Sequence, residues 1–477
     1  MYDIIIIGAG VIGGLIAHRL SKYDLKVAVL DKDNDVANET TSANSAIIHS
    51  GHDPKPGSLM IKMNLRGNEL YEDLCKELKV DFERCGAFVV ATDDEQIEKL
   101  EVLYKQALER NVPVEMLDRE ELLKQEPNLS DHVIKGISLP STGIVSPWEV
   151  TIAALEDAVN NGLDLHLSTK VVAIEKKEGY FDVTTNQGVF QAGIVINAAG
   201  LYSDDVYRMV STQASYSITP RRGEYFVLDR AENPVVGRPI FPIPTEKSKG
   251  ILVLPTIHKN ILLGPTSDPI IDKEGKDNTA EALNHVREEV SKTVKNIPMH
   301  TVIRTYVGLR ATPNTGDFII EEAKDVPGFI NLIGIESPGL ASAPAISEYV
   351  VEKLIQNIRP IELKKEPRVE RRAWVILNRM SIDEKQEWFK KDKRFGQMTC
   401  RCELVSEGEI VDVIHRNVGA KTVKAVKRRL RPGAGRCQGG FCEPRVINIL
   451  ARELNISPTE VLLDADESKI LVGKTKE

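Results

Sequence analysis

Four of the six cysteines fall in the last 80 residues, as Cys400-Arg-Cys402 and Cys437-x4-Cys442. Thiolate sulfur binds soft metals, and four thiolates meeting at one point are what an iron–sulfur cluster or a structural zinc requires. The stretch Arg431-Pro-Gly-Ala-Gly-Arg-Cys437-Gln-Gly-Gly-Phe-Cys442 carries four glycines, so its backbone can wrap a bulky centre and aim amide hydrogens at sulfur. Arg401, Arg431 and Arg436 would offset the negative charge of such a centre. Zinc usually takes cysteines spaced C-x2–4-C, so the C-x-C pair suits a [2Fe–2S] cluster better than zinc. A disulfide or unliganded thiols form a third reading, weakened by the cytosolic character of the chain. Cys75 and Cys85 have no such company and read as ordinary semi-buried thiols.

The opposite end of the chain carries a different chemistry. Tyr2-Asp-Ile-Ile-Ile-Ile7 reads as a buried strand, followed at once by Gly8-Ala-Gly10-x-x-Gly13. Gly8 permits the turn, Gly10 lets a diphosphate approach the backbone, and Gly13 lets the following helix pack on the strand. The diphosphate would then sit at a helix N-terminus, where free amides and the dipole favour an anion. A second strand, Lys26 to Leu30, ends in Asp31, 23 residues after Gly8 and placed to hold ribose hydroxyls. Strand, turn, helix and acid together make a dinucleotide site. Val195-Ile-Asn-Ala-Ala-Gly200 is a further strand entering small residues. Gly334 to Ile346 is a glycine-proline turn opening a helix whose positive end can face the pyrimidine edge of a flavin.

At 477 residues the chain is too long for one core, and two or three domains are expected. A formal net charge of −8 argues against a nucleic-acid binder. The longest apolar run, residues 4–17, holds four glycines and falls short of the roughly 20 residues of a membrane helix. A cytoplasmic protein without a transmembrane segment is expected. Peripheral docking at a membrane and assembly into homo- or hetero-oligomers are compatible with this composition.

The glycine signature, Asp31, the Thr41 to Gly51 stretch, Asn197 to Gly200 and Gly334 to Ile346 together resemble the FAD-dependent D-amino-acid oxidase-type superfamily. Lys55-Pro-Gly-Ser58, Asn64 to Tyr71, Gly143 to Pro147 and Pro244 to Lys249 look most like its glycerol-3-phosphate dehydrogenase branch, close also to L-2-hydroxyglutarate dehydrogenases. The tail is similar to the bacterioferritin-associated-ferredoxin type of [2Fe–2S] domain. The resemblance implies an α/β fold: an interrupted Rossmann-type FAD-binding domain (1–84, 145–215 and 300–356), an antiparallel-sheet substrate domain (85–144 and 216–299), a linker (357–394) with a helix around 369–378, and a small helical [2Fe–2S]-binding domain (395–477). It implies FAD contacts at Gly8, Gly10, Gly13, Asp31, Thr41, Ser42, Asn44, Ser45, Val172, Ala199, Gly200, Gly308, Gly339, Leu340 and Ala341, and cluster ligands at Cys400, Cys402, Cys437 and Cys442. Two departures stand out: Ser50-Gly51-His52-Asp53 occupies the place where that branch carries a phosphate-holding arginine, and Asp31 replaces the more usual glutamate.

A flavin that oxidises a C–H bond needs the substrate held over it and a group to take the hydroxyl or amino proton. His49, after the second strand, and His258, after Val253 to Ile257, are the candidate bases, since imidazole titrates in the working range. An anionic substrate needs fixed positive charge, and Arg310 is the best candidate clamp, its guanidinium binding carboxylate or phosphate in a fork. It precedes 317–320, expected to touch the flavin. Arg221, Arg222, Lys247 and Lys249 are further candidates for the distal charge. The expected activity is oxidation of an anionic secondary alcohol, first of all sn-glycerol 3-phosphate to dihydroxyacetone phosphate. Electrons would leave through the cluster to a downstream acceptor protein or quinone-linked partner. L-2-hydroxyglutarate or another 2-hydroxy or amino acid is the second substrate reading; a non-catalytic electron-transfer or assembly subunit is the reading from another class.

Overall fold

A computed structural model describes residues 1–244, 250–366, 368–473 and 475. The run Ile4–Ile7 is fully or nearly buried, as a strand covered on both faces must be. Tyr2–Ile7 pairs in parallel with Val27–Leu30 on one side and Gly188–Asn197 on the other. Asp164–His166 extends the sheet beyond Val27–Leu30, and Phe329–Ile333 joins the C-terminal half of Gly188–Asn197, both in parallel. The antiparallel strands Val171–Lys176, Phe181–Thr185 and Ile319–Glu322 complete it. Helices Val11–Leu20, Pro147–Asn160, Leu59–Leu78 and Gly339–Tyr349 pack together against one face. This is the interrupted dinucleotide fold expected from the sequence.

A second, nine-stranded sheet forms the other layer. From the ranges 85–144 and 216–299 expected to build it come, among others, Phe88–Ala91, Ile218–Leu228 and Leu252–Pro255. It is mixed rather than wholly antiparallel, because Phe88–Ala91 runs parallel to Ile240–Pro242. Val302–Pro313 was expected in the nucleotide-binding body. It runs instead along the whole of Ile218–Leu228, from Ile218 opposite Pro313 to Leu228 opposite Val302. Eleven paired positions outweigh its position in the chain between nucleotide motifs, and the pairing brings Arg310 into the roofing sheet.

The expected helix around 369–378 is not formed. Only the short 3-10 turn Leu377–Arg379 lies there, and the helix of the connecting segment is Ile382–Lys391, started by a Ser381/Glu384 capping box. Arg371 explains the irregular backbone, because its buried guanidinium reaches across to Glu156 at 2.6 Å and to the Leu78 carbonyl at 2.8 Å. The tail has three helices, Glu407–Ile414, Val423–Leu430 and Glu443–Leu454, and a short hairpin. Ser406 and Glu409 form a capping box at the start of the first of these. Ser457 and Glu460 also cap, but close a single 3-10 turn, Pro458–Glu460, rather than a longer helix.

The tail is not a loose appendage. Its core residues, among them Ile410, Val426 and Leu450, are continuous with the apolar layer beneath the nucleotide sheet. Asp35 at the end of the second strand region is 2% exposed and accepts from Arg428 and Arg429, the latter 1% exposed. On the other layer, Arg436 meets Asp229 at 2.7 Å, Arg431 donates to Asn260 Oδ1 at 2.9 Å, and Arg230 donates to the Cys402 carbonyl at 2.5 Å. Among the described residues no helix is long and apolar enough to cross a membrane.

Candidate active site and cluster site

The glycine turn is shaped for a phosphate. Gly8 has φ +111°, and a Cβ there would lie 2.4 Å from the Ala198 carbonyl oxygen. Helix Val11–Leu20 starts at Gly10 with no side-chain cap, which leaves amides at its N-terminus open to an anion. Thr41 Oγ1 accepts from Val11 N at 3.0 Å and ties the 38–46 loop to that turn. Asp31 accepts from Ala9 N at 2.6 Å and Asp33 N at 2.9 Å. Burial, then the neighbouring Asp33, push its carboxyl up to about 7 against the pull of those two amides. Each oxygen keeps a lone pair for a ribose hydroxyl.

A cavity of about 460 Å³ opens beside this turn, between the two layers. Gly10, Thr41, Asn44, Ser45, Gly200, Gly308, Gly339 and Leu340 line it, and so do His49 and Arg310. Gly308 marks a close crossing of the layers, since a Cβ there would lie 1.9 Å from the Ala43 carbonyl oxygen. The His49 backbone is fixed by Asn64 and Asn68, whose side-chain amides donate to its carbonyl at 2.7 and 3.0 Å. Arg310 Nη1 donates to the Thr266 carbonyl at 3.2 Å, which leaves the rest of its fork to the cavity.

Other expected residues fall elsewhere. Ala341 is fully buried in the helix behind the cavity, Ser42 lines a separate cavity described below, and Ala199 stands just before the turn at Gly200. The Val172 side chain is 51% exposed on the outermost strand and lies outside the cavity. His258 does not meet His49: it lies on the separate cavity, with Nε2 3.2 Å from the buried Glu149 carboxylate. Although burial raises the Glu149 carboxyl, His258 outweighs it and holds the group below its usual range. Asp317 caps helix Leu59–Leu78 by accepting from Leu59 N and Met60 N at 2.7 and 2.9 Å, and Phe318 and Ile320 are core residues. Of the distal-charge candidates, Arg221 lines the cavity and Arg222 Nε lies 3.3 Å from Glu224, while Lys247 and Lys249 fall outside the described residues.

One wall was not anticipated. Tyr225 and Tyr306, on the paired strands, stack with ring centroids 4.4 Å apart. Tyr225 Oη lies 3.0 Å from Ser45 Oγ, and Tyr306 donates to the Asn44 carbonyl at 2.9 Å. The pair buttresses the 38–46 loop at Asn44 and Ser45. The alternation of Gly223-Glu-Tyr225 with Tyr306-Val-Gly308 was the available signal, and it needed the register of the two strands.

The four tail cysteines form two pairs. Cys402 Sγ lies 3.7 Å from Cys437 Sγ. Cys400 hydrogen-bonds Cys442, whose donated proton, helped by backbone amides, brings the Cys400 thiol down to about 6 despite burial. Burial raises Cys437, but amides of Gly439 and Phe441 and the hydrogen bond from Cys402 bring it below its ordinary value. Amides aimed at sulfur are the surroundings a thiolate cluster needs. Among the described residues no three metal-binding side chains converge on one point as a single ion would require.

The family model for the FAD dependent oxidoreductases matches residues 3–353. The chain belongs to this family. A BFD-like [2Fe-2S] binding domain matches residues 398–452, which hold all four tail cysteines. The protein is thus an FAD-dependent oxidoreductase with a [2Fe–2S] domain. A glycerol 3-phosphate dehydrogenase of Caloramator mitchellensis is 50% identical over 477 residues, covering 100% of this chain and 99% of the relative. The FAD-bound L-alpha-glycerophosphate oxidase of Mycoplasma pneumoniae superposes with a TM-score of 0.74 at 30% identity, covering 78% of this chain and 99% of its own. An L-2-hydroxyglutarate dehydrogenase of Escherichia coli K12 is 32% identical over 280 residues, 58% of this chain and 66% of the relative.

Proposed function

We propose that this oxidoreductase is a glycerol 3-phosphate dehydrogenase, oxidising the secondary alcohol of sn-glycerol 3-phosphate to the ketone of dihydroxyacetone phosphate. The observation that carries this reading is the convergence of His49 and Arg310 on one cavity beside the glycine turn, in a chain half identical along its whole length to a glycerol 3-phosphate dehydrogenase. When bound, FAD supplies a two-electron acceptor for the C–H bond and the [2Fe–2S] cluster a one-electron outlet. Gly8, Gly10 and Asp31 hold the dinucleotide, and the start of helix Gly339–Tyr349 offers its positive end to the cavity. His49 takes the hydroxyl proton as the alcohol is oxidised. Arg310 holds the phosphate with the part of its fork not engaged by Thr266 and so fixes which carbon faces the flavin side. Cys400, Cys402, Cys437 and Cys442 hold the cluster.

Steady-state assays with an artificial electron acceptor test the substrate. Turnover with glycerol 3-phosphate at least about tenfold more efficient than with L-2-hydroxyglutarate supports the proposal, and the reverse order assigns the Arg310 fork to a carboxylate.

A further inference from the structure

A second cavity, about 530 Å³, shares a wall with the first: Thr40, Ala43, Asn44 and Ala46 line both. Neither His49 nor Arg310 reaches it. Further walls come from the start of helix Pro147–Asn160, the 256–262 segment with His258, strand Val302–Pro313 and the tail, where Lys427, Arg431 and Gln438 face it. It therefore lies between the loop of the flavin cavity and the residue that follows the cluster cysteine Cys437.

The charge is unbalanced. Lys276, Lys424, Arg428 and Arg431 each meet a carboxylate, from Glu39, Asp464, Asp35 and Glu403. Among the described residues no carboxylate comes within 4.0 Å of Arg304 or Lys427. Among the described residues Lys427 donates to the Gly433 carbonyl alone, at 2.9 Å. Burial, then Arg304, Arg431 and Lys424, outweigh the nearby Cys442 thiol and pull its ammonium down to about 8.

The helix start adds a second feature. Pro147–Asn160 is 14 residues long, and its N-cap Ser146 makes no capping bond. Ser146 is 2% exposed, yet its Oγ has no hydrogen-bond partner. The first intrahelical bond is Val150 N to Ser146 O, so the Trp148 and Glu149 amides have no acceptor within the helix. A buried donor left unsatisfied costs about 1–3 kcal/mol, and an oxyanion at this point would satisfy hydroxyl, amides and dipole together. The Glu149 carboxylate is engaged by His258, which itself lines the cavity.

The third feature is aromatic. Trp148 and Tyr306 line the cavity, and the Trp148 indole Nε1 is buried without a partner. A planar ring bearing acceptor atoms would supply both a stacking face and that missing acceptor.

We propose that this cavity binds a phosphorylated aromatic mononucleotide, with phosphate at Ser146 and the Arg304 and Lys427 cations and the ring against Trp148. Its volume is of the size that encloses a small ligand. The proposal does not rest on the choice of substrate in the active site.

The full-length holoenzyme, purified with FAD and cluster, is denatured and its released nucleotides are separated and weighed. Expected is about one FAD and about one further mononucleotide per chain. Should the second site be vacated in purification, titration with flavin mononucleotide and with adenosine 5′-monophosphate, followed by calorimetry, is expected to show one site at micromolar affinity for at least one of them; flavin mononucleotide would make it a redox site, adenosine monophosphate a purely nucleotide one. Lys427→Glu and Ser146→Val, on opposite sides of the domain boundary, should each weaken that site at least tenfold while FAD and iron contents stay at one FAD and two irons per chain. Binding of neither nucleotide at 1 mM, binding of inorganic phosphate alone, or affinity unchanged in both variants overturns the proposal.

Discussion

Asp35→Ala would test how the cluster domain is held to the flavin-binding body. The two Asp35 oxygens accept from Arg428 Nε and Nη2 at 3.3 and 2.9 Å and from Arg429 Nη1 and Nη2 at 3.0 and 2.9 Å. Removing the carboxylate leaves Arg429 only the Val418 and Ala425 carbonyls, while Arg428 keeps Asp464. Deleting one partner of a buried ion pair costs about 3–5 kcal/mol, which is roughly 150- to 5,000-fold in the docking equilibrium. For a domain of this size that lowers the melting temperature by about 10 °C or more. Visible circular dichroism of the cluster, followed during heating beside flavin fluorescence, reads the two ends separately. Burial raises the Asp35 carboxyl, but Arg429 and Arg428 outweigh it and hold the group below its ordinary 3.8. Its contribution is therefore complete above about pH 5 and lost as pH falls through the depressed folded value. The gap between wild type and variant should be flat from neutrality to about pH 5 and begin to narrow as pH falls below about 4, by at most about 1.4 kcal/mol per pH unit. A loss under about 1 kcal/mol, or a gap that widens as pH falls below about 4, would refute the reasoning.

His49→Gln should lower kcat by about 10²–10⁴ with FAD content unchanged, and the acidic limb of the pH–rate profile should disappear; a retained limb would assign the base elsewhere. Arg310→Ala should cost about 2–5 kcal/mol in kcat/KM for glycerol 3-phosphate, and far less for uncharged glycerol; equal losses on both would remove its role as an anion clamp. Gly308→Val should drive the 38–46 loop from its place, because the Ala43 carbonyl occupies the added carbon's position, and yield protein with little bound flavin by absorbance. Cys437→Ser should remove the cluster's iron and acid-labile sulfide while FAD and substrate-dependent dye reduction at the flavin persist; loss of flavin as well would show that the tail is needed for the nucleotide fold.

The ends of the chain were legible because their chemistry is local. The turn at Gly8, the acid at Asp31 and the paired tail cysteines each need residues of one type within a few positions, and spacing reports that directly. Placement across the layers was not. His258 resembles a base in sequence, but its partner Glu149 is supplied by a distant helix. Strand Val302–Pro313 sits among nucleotide motifs along the chain and yet pairs with the roofing sheet, a register set by long-range hydrogen bonds. The helix expected near 369–378 gave way to contacts of Arg371 with the body, an instance of tertiary packing overriding local preference. The second cavity is made by docking of the tail, and no single segment announces it.

Anaerobic titration of the holoenzyme with glycerol 3-phosphate, recording flavin absorbance and the paramagnetic resonance of the cluster in the same samples, tests most directly that one chain joins a two-electron site to a one-electron outlet. The expected result is bleaching of the flavin band together with a reduced [2Fe–2S] signal that is absent in Cys437→Ser. Bleaching with no cluster signal, or oxygen-free protein containing neither iron nor acid-labile sulfide, would contradict it.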